Sequence, residues 1–166
     1  MTRWIKLLLI ALMPAALVAA APAVPGSAGV DVTLKRAYAG YFKESGGEGG
    51  DWDQPVWSTR TTRLIRQWKR HNGGELTGLS SYGWLCECQD WQWQKFAWQK
   101  AGIKQIAPGK LEVTVKVNPG FGDFLTQRLI MVREGKRWLI DDLFSESAPG
   151  GVRAAMQREL TETPGS

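Results

Sequence analysis

Histidine is almost absent from this 166-residue chain, which holds one, His71. Cysteine is nearly as scarce, with Cys86 and Cys88 as the pair. A structural zinc site takes four ligands, commonly Cys and His. Cys-x-Cys supplies two, Asp90 a third, and His71 sits at the edge of an apolar helix face. No metal and no other cofactor is expected. A cysteine nucleophile needs a depressed pKa and a nearby base, and only His71 offers one. There is also no internal repeat and no strong excess of one charge. The formal net charge is +5, too little to argue for nucleic acid as a partner without a basic patch and a matching motif.

Long apolar runs are lacking too, with one exception. Leu7 to Ala21 is apolar, broken by Pro14, and short against the roughly 20 residues of a membrane span. Arg3 and Lys6 precede it and "AAAPAVPGSAG" follows. This is the layout of a secretory signal peptide. Cleavage is expected after Ala23, with Ala21 at −3; Ala20 and Ala28 are alternatives. No cysteine stands near the junction, so lipidation is not supported. Residues 24–30 then form a linker, 31–163 one domain and 164–166 a tail. Loss of Arg3 and Lys6 lowers the net charge to +3. The expected compartment is a bacterial periplasm, which is oxidising, with no membrane attachment after cleavage.

What is present has a clear order. Leu34, Ala37, Tyr38, Tyr41 and Phe42 recur at helical spacing, with Asp31 or Thr33 to cap the start and Gly46-Gly47 to stop it. "SGGEGGDWDQP" reads as an exposed loop. A second helix runs from about Trp57 to His71. Trp57, Thr61, Leu64, Ile65 and Trp68 form one face, and Arg60, Arg63, Arg66, Lys69 and Arg70 the other. A short helical turn, Leu76-Leu79-Tyr82, follows. The period then changes to two. Phe96 to Ile106, "KLEVTVKVN", "DFLTQRLIMVRE" and "RWLIDDLF" read as four strands, and Pro149-Gly150-Gly151 opens a last short helix with Val152, Ala155, Met156 and Leu160 on one side. Helices first and consecutive antiparallel strands after them mean an α+β fold: N-terminal helices on a curved, cone-shaped sheet of about four strands.

The chemistry-bearing residues cluster in "LCECQDWQW", Leu85 to Trp93. In a strand the Cα atoms of Cys86 and Cys88 would stand about 6.6 Å apart, near the upper end of the disulfide range. A bend would let them join, and a disulfide is the favoured reading over two buried thiols. Asp90 either ties the backbone of a turn or points into a pocket as an acid or base. Alternation sends one of Asp141 and Asp142 inward, where it needs an Arg or Lys partner. Asp90 and that residue would then face a common cavity. Trp91 and Trp93, beside Gln89, have the makings of a platform for a sugar or another flat ligand.

The order "LCECQD", an alternating "LEVTVKV" strand, "RWLIDDL" and a final helix resembles a family of exported bacterial domains of unknown function in the nuclear-transport-factor-2-like superfamily. The resemblance covers roughly Val30 to Thr163. It implies a cone-shaped α+β domain, in a superfamily whose enzymes place an Asp or His in the pocket. No complete catalytic set matches this chain. Exported domains of this general kind also resemble immunity proteins. Three expectations follow. The first is a non-enzymatic periplasmic binding domain that docks a protein, immunity- or inhibitor-type, through Arg60, Arg63, Arg66 and Arg70. The second is a sugar- or peptide-binding pocket using Gln89, Trp91 and Trp93. The third is an enzyme with Asp90 as acid or base, Asp141 and Asp142 being the further catalytic candidates.

Overall fold

The computed structural model describes residues 27–46, 50–74 and 77–162. The expected signal peptide, the first three residues of the linker, Leu76 and the tail lie outside the described residues. The fold is α+β. Four strands, β1 (Ala97–Ala107), β2 (Lys110–Asn118), β3 (Leu125–Glu134) and β4 (Arg137–Phe144), form one antiparallel sheet in chain order. Each connection is therefore a hairpin. Gly135, at φ +61°, turns the chain between Glu134 and Arg137 in two residues, a tight turn for which a left-handed residue is required.

The alternation of β2 fixes which sheet face is inward. Leu111, Val113, Val115 and Val117 are buried, while Glu112, Thr114 and Lys116 lie opposite. Leu129 and Met131 of β3 and Ile140 and Leu143 of β4 share that inner face. The helices α1 (Val30–Tyr38), α3 (Thr59–His71) and α4 (Val152–Glu159) close over it, contributing Leu34, Ile65, Trp68, Val152 and Met156 to one core. Burying such a side chain stabilises the fold by about 1.5–3 kcal/mol.

Among the joints that hold the helices to the sheet are an aromatic stack and a backbone pairing. Tyr38 of α1 stacks on Trp98 at 5.0 Å, and its hydroxyl donates to Gln127 Oε1 at 3.1 Å. On the far side, the segment before α3 pairs with the outer edge of β4. Ser58 N–H donates to the Ile140 carbonyl, and Ile140 N–H to that of Val56, both at 2.8 Å. That pairing covers one sheet edge, which would otherwise present open backbone groups.

Several expected boundaries move. The first helix is α-helical only to Tyr38 and tightens into a 3-10 turn over Ala39–Phe42, where Gly40 weakens helix propensity. Its cap is Gly29 rather than Asp31 or Thr33. Asp31 instead lies 2.6 Å from Lys100 Nζ. The second helix begins at Thr59, because Ser58 caps it and accepts from Thr61 N–H; Trp57 belongs to the β4 pairing. The stretch around Trp52 is not an exposed loop. Gly50–Asp53 is a short helix, α2, and Trp52 is buried. Leu79 and Tyr82 lie in turns and bends rather than a helix.

Candidate functional site

A cavity of about 590 Å³ opens between the end of α1, α2, the C-terminal turn of α3 and residues 80–91. That size falls in the range of small-molecule sites. Its wall is aromatic: Tyr41, Trp52, Trp68, Tyr82 and Trp91 all line it. Tyr41 and Trp91 meet edge to face, with centroids 5.5 Å apart. Trp52 is fixed by its indole N–H, which donates to the Leu79 carbonyl at 2.9 Å. Trp68 donates to Glu159 Oε2 at 2.6 Å. Both rings are thereby held in place before any ligand enters.

The carboxyl group of the cavity is Asp51. Oδ1 accepts from the Tyr41 hydroxyl at 2.6 Å, and Oδ2 from Leu85 N–H at 2.8 Å. The Asp51 carbonyl accepts from Trp57 Nε1 at 2.7 Å. Burial pushes the Asp51 carboxyl above the usual carboxylate range, and these hydrogen bonds only partly offset it. Burial, reinforced by the charge of Asp51, also pushes the Tyr41 hydroxyl up. No Lys, Arg or His pairs with Asp51 among the described residues. The other charged groups on the lining, Asp53 and Lys69, pair with each other at 2.6 Å.

The wall behind Tyr41 is the disulfide. Cys86 and Cys88 are bonded, with Cα atoms 5.2 Å apart, so the expected bend is present. It is a tight turn: Gly83 N–H donates to the Cys88 carbonyl at 2.8 Å and Cys88 N–H returns to Gly83 at 3.1 Å. Glu87 stands at its apex in a left-handed conformation, φ +55°. Its carboxylate accepts from Ser147 N–H at 2.9 Å, which anchors the turn to the segment after β4. Gly83 is required by space, since a Cβ there would sit 2.6 Å from Cys86 Sγ.

The expected site residues divide. Gln89 and Trp91 line the cavity; Trp93 is exposed and does not. Asp90 is exposed, and its carboxylate accepts from Trp91 N–H at 2.8 Å. It ties the turn, so the expectation of Asp90 as a cavity acid or base is corrected. Asp141 and Asp142 do not join it. Asp141 is the inward member of the pair, 3 % exposed, and as expected it has arginine partners. Arg60 makes a close hydrogen bond to it, and Arg153 Nη1 lies 3.6 Å away. Burial alone would raise the Asp141 carboxyl, but hydrogen bonds from Arg60 and Ser58 outweigh it and hold it below the usual range. Asp142 accepts from Leu143 and Arg153 N–H at 2.9 and 3.1 Å, capping the start of α4. Burial raises its carboxyl. Both aspartates therefore fasten helices to β4, on elements outside the cavity wall.

Arg63, Arg66 and Arg70 are exposed along one face of α3, while Arg60 is partly engaged by Asp141. Asp51 was missed because glycines surround it and mimic a solvated loop. The available signal was Trp52, a large apolar ring that an open loop has no reason to carry. In comparisons with protein-family models, curated proteins and solved structures, nothing matches this chain.

Proposed function

We propose that the chain is a binding domain for a small organic molecule with an apolar face, held in the aromatic cavity around Asp51. One observation carries the reading: among the described residues, five aromatic side chains and a carboxyl without a cationic partner converge on a space of about 590 Å³. Mostly apolar walls with a few fixed polar groups are the composition of small-molecule sites. Asp51 and Tyr41 set orientation, while Trp52, Tyr82 and Trp91 supply contact area. The domain acts in an exported protein of the cone-shaped superfamily, a reading supported by the N-terminal pattern and by the Cys86–Cys88 bond, which persists in oxidising compartments. The test is tryptophan fluorescence of the mature chain titrated with envelope sugars, short peptides and small amines. Saturable change that Trp91→Ala abolishes is the expected result. A flat response to all three classes overturns the reading.

A second reading has its own observation. Arg63, Arg66 and Arg70 form an exposed basic stripe whose side chains make no ion pair among the described residues. Such a stripe suits an acidic protein partner, of immunity or inhibitor type. A pull-down from periplasmic extract that loses its partner on Arg63→Glu with Arg66→Glu supports it. Capture unchanged by the reversal removes it.

A further inference from the structure

Several carboxyl groups among the described residues are withdrawn from water, Asp51, Glu87, Asp141 and Asp142 among them, and they are treated differently. Asp141 is met by two guanidiniums, Arg60 and Arg153. Asp51 has a tyrosine hydroxyl, the backbone N–H groups of Leu85 and Trp84 and no cation among the described residues. A buried charge is costly unless it is paired, and Asp51 differs from Asp141 in one further respect: it lines a cavity. The remaining charges of that lining, Asp53 and Lys69, neutralise each other across 2.6 Å. Among the described lining residues, Asp51 is therefore the carboxyl without a cationic partner.

The walls point the same way. An aromatic face is the negative pole of a quadrupole, and a cation placed over it is attracted, more so when water is excluded. Tyr41 and Trp91 meet at 82° and so form a corner, and Trp52 belongs to the same lining. Tyr41 also holds Asp51 by its hydroxyl at 2.6 Å, placing the carboxylate beside that corner. The Asp51 oxygens accept from Tyr41 and Leu85, with Trp84 N–H also directed at the carboxyl, and a carboxylate's roughly four acceptor positions are not all used. The volume far exceeds that of a metal ion, and no cluster of three or more ligating side chains exists among the described residues.

We infer that the ligand of this cavity is an organic cation, an ammonium-bearing small molecule whose charged nitrogen sits against Asp51 between the rings of Tyr41, Trp52 and Trp91. The inference rests on the small-molecule reading above and narrows it to one chemical class. A neutral sugar would use the same rings but would leave Asp51 uncompensated.

The experiment compares matched probes on the full mature chain by calorimetry and tryptophan fluorescence. Phenethylamine is titrated against 2-phenylethanol, which keeps the ring and chain and lacks the charge. Choline is titrated against 3,3-dimethylbutan-1-ol, its neutral counterpart. The expected result is binding of at least one cation about tenfold or more tighter than its neutral partner, with that preference lost in Asp51→Asn. The wild-type comparison needs no variant, so a poorly folding Asp51→Asn leaves it intact; Tyr41→Phe, which keeps the ring, is then read for a weakened preference. Equal binding of cation and neutral partner overturns the cation and keeps the small-molecule site. Binding of sugars or peptides alone does the same. No response to any probe overturns both.

Discussion

Ser58 Oγ lies 2.8 Å from Asp141 Oδ1, although 83 positions separate them in the chain. The contact joins the cap of α3 to the irregularity in β4. Ile130 pairs with Asp142 and Met131 with Ile140, so Asp141 is the extra residue of a bulge. A bulge re-aims a side chain, and here it turns a carboxylate toward the start of a helix. Thr61 completes the joint, its hydroxyl donating to the Asp141 carbonyl at 2.6 Å.

Asp141→Ala is expected to destabilise the protein by about 3 kcal/mol, because it strips the partner from Ser58, Arg60 and Arg153 together. Arg60→Ala is expected to cost about 1 kcal/mol or less, since its side chain is 59 % exposed and Arg153 remains. Urea unfolding of both variants checks the order. Equal costs would contradict the joint described here.

Stability should respond to pH through carboxyls of opposite sign, Asp141 on one side and Asp51 and Asp142 on the other. Asp141 is held below the ordinary value, so its contribution is complete above about pH 4 and is lost as pH falls through the depressed value. Asp51 is held above the ordinary value, so its contribution is lost as pH rises from about 4 through the raised value. Asp51→Asn removes this loss. Its melting temperature should therefore gain on wild type as pH rises from about 4 toward 7. A constant gap between the two melting curves across that range would contradict the assignment.

Gln127→Leu should cost about 2–3 kcal/mol despite conserving volume. Gln127 is fully buried, accepts from Tyr38 and donates to the Trp84 carbonyl at 2.6 Å. Leucine would leave both partners buried and unpaired. Tyr38→Phe with Gln127→Leu should recover part of the loss, since one stranded group is gone; a double-mutant cycle measures this.

Reduction of Cys86–Cys88 should remodel the cavity more than it destabilises the fold. The bond closes a loop of three residues, for which chain entropy gives about 1.5 kcal/mol against about 3 for a fifteen-residue loop. Near-ultraviolet circular dichroism, reporting Tyr41 and Trp91, should change with only a few degrees lost in melting temperature. A large fall in melting temperature with an unchanged aromatic spectrum would oppose this.

Much of the architecture was legible locally. The strict alternation of Leu111, Val113, Val115 and Val117 assigned a strand and its buried face. The apolar and basic faces of the second helix were correctly opposed, and "WLIDDLF" announced a buried carboxylate with an Arg or Lys partner. The cavity was less legible. Of Gln89, Trp91 and Trp93, singled out from composition, the first two line the cavity and Trp93 does not; the Cys86–Cys88 bond was read from spacing. Asp90 ties its turn, one of the two readings the sequence allowed, but Asp51 was missed, because exposure of a short polar residue is set by distant chain. Tyr41 comes from the 3-10 turn after α1 and Leu85 N–H from the turn before the disulfide, and neither contact leaves a trace near Asp51 in the sequence.

The sequence by itself determined the periodic elements and their order, because side-chain alternation and helical spacing are properties of neighbouring residues. It also determined that Cys86 and Cys88, two positions apart, lay within reach of each other. Only the tertiary structure decided which aspartate is neutralised and which is left facing a cavity. Burial and charge pairing depend on the packing of α2 and α3 against residues 80–91 and on the bulge in β4, and those relationships join positions up to 83 apart.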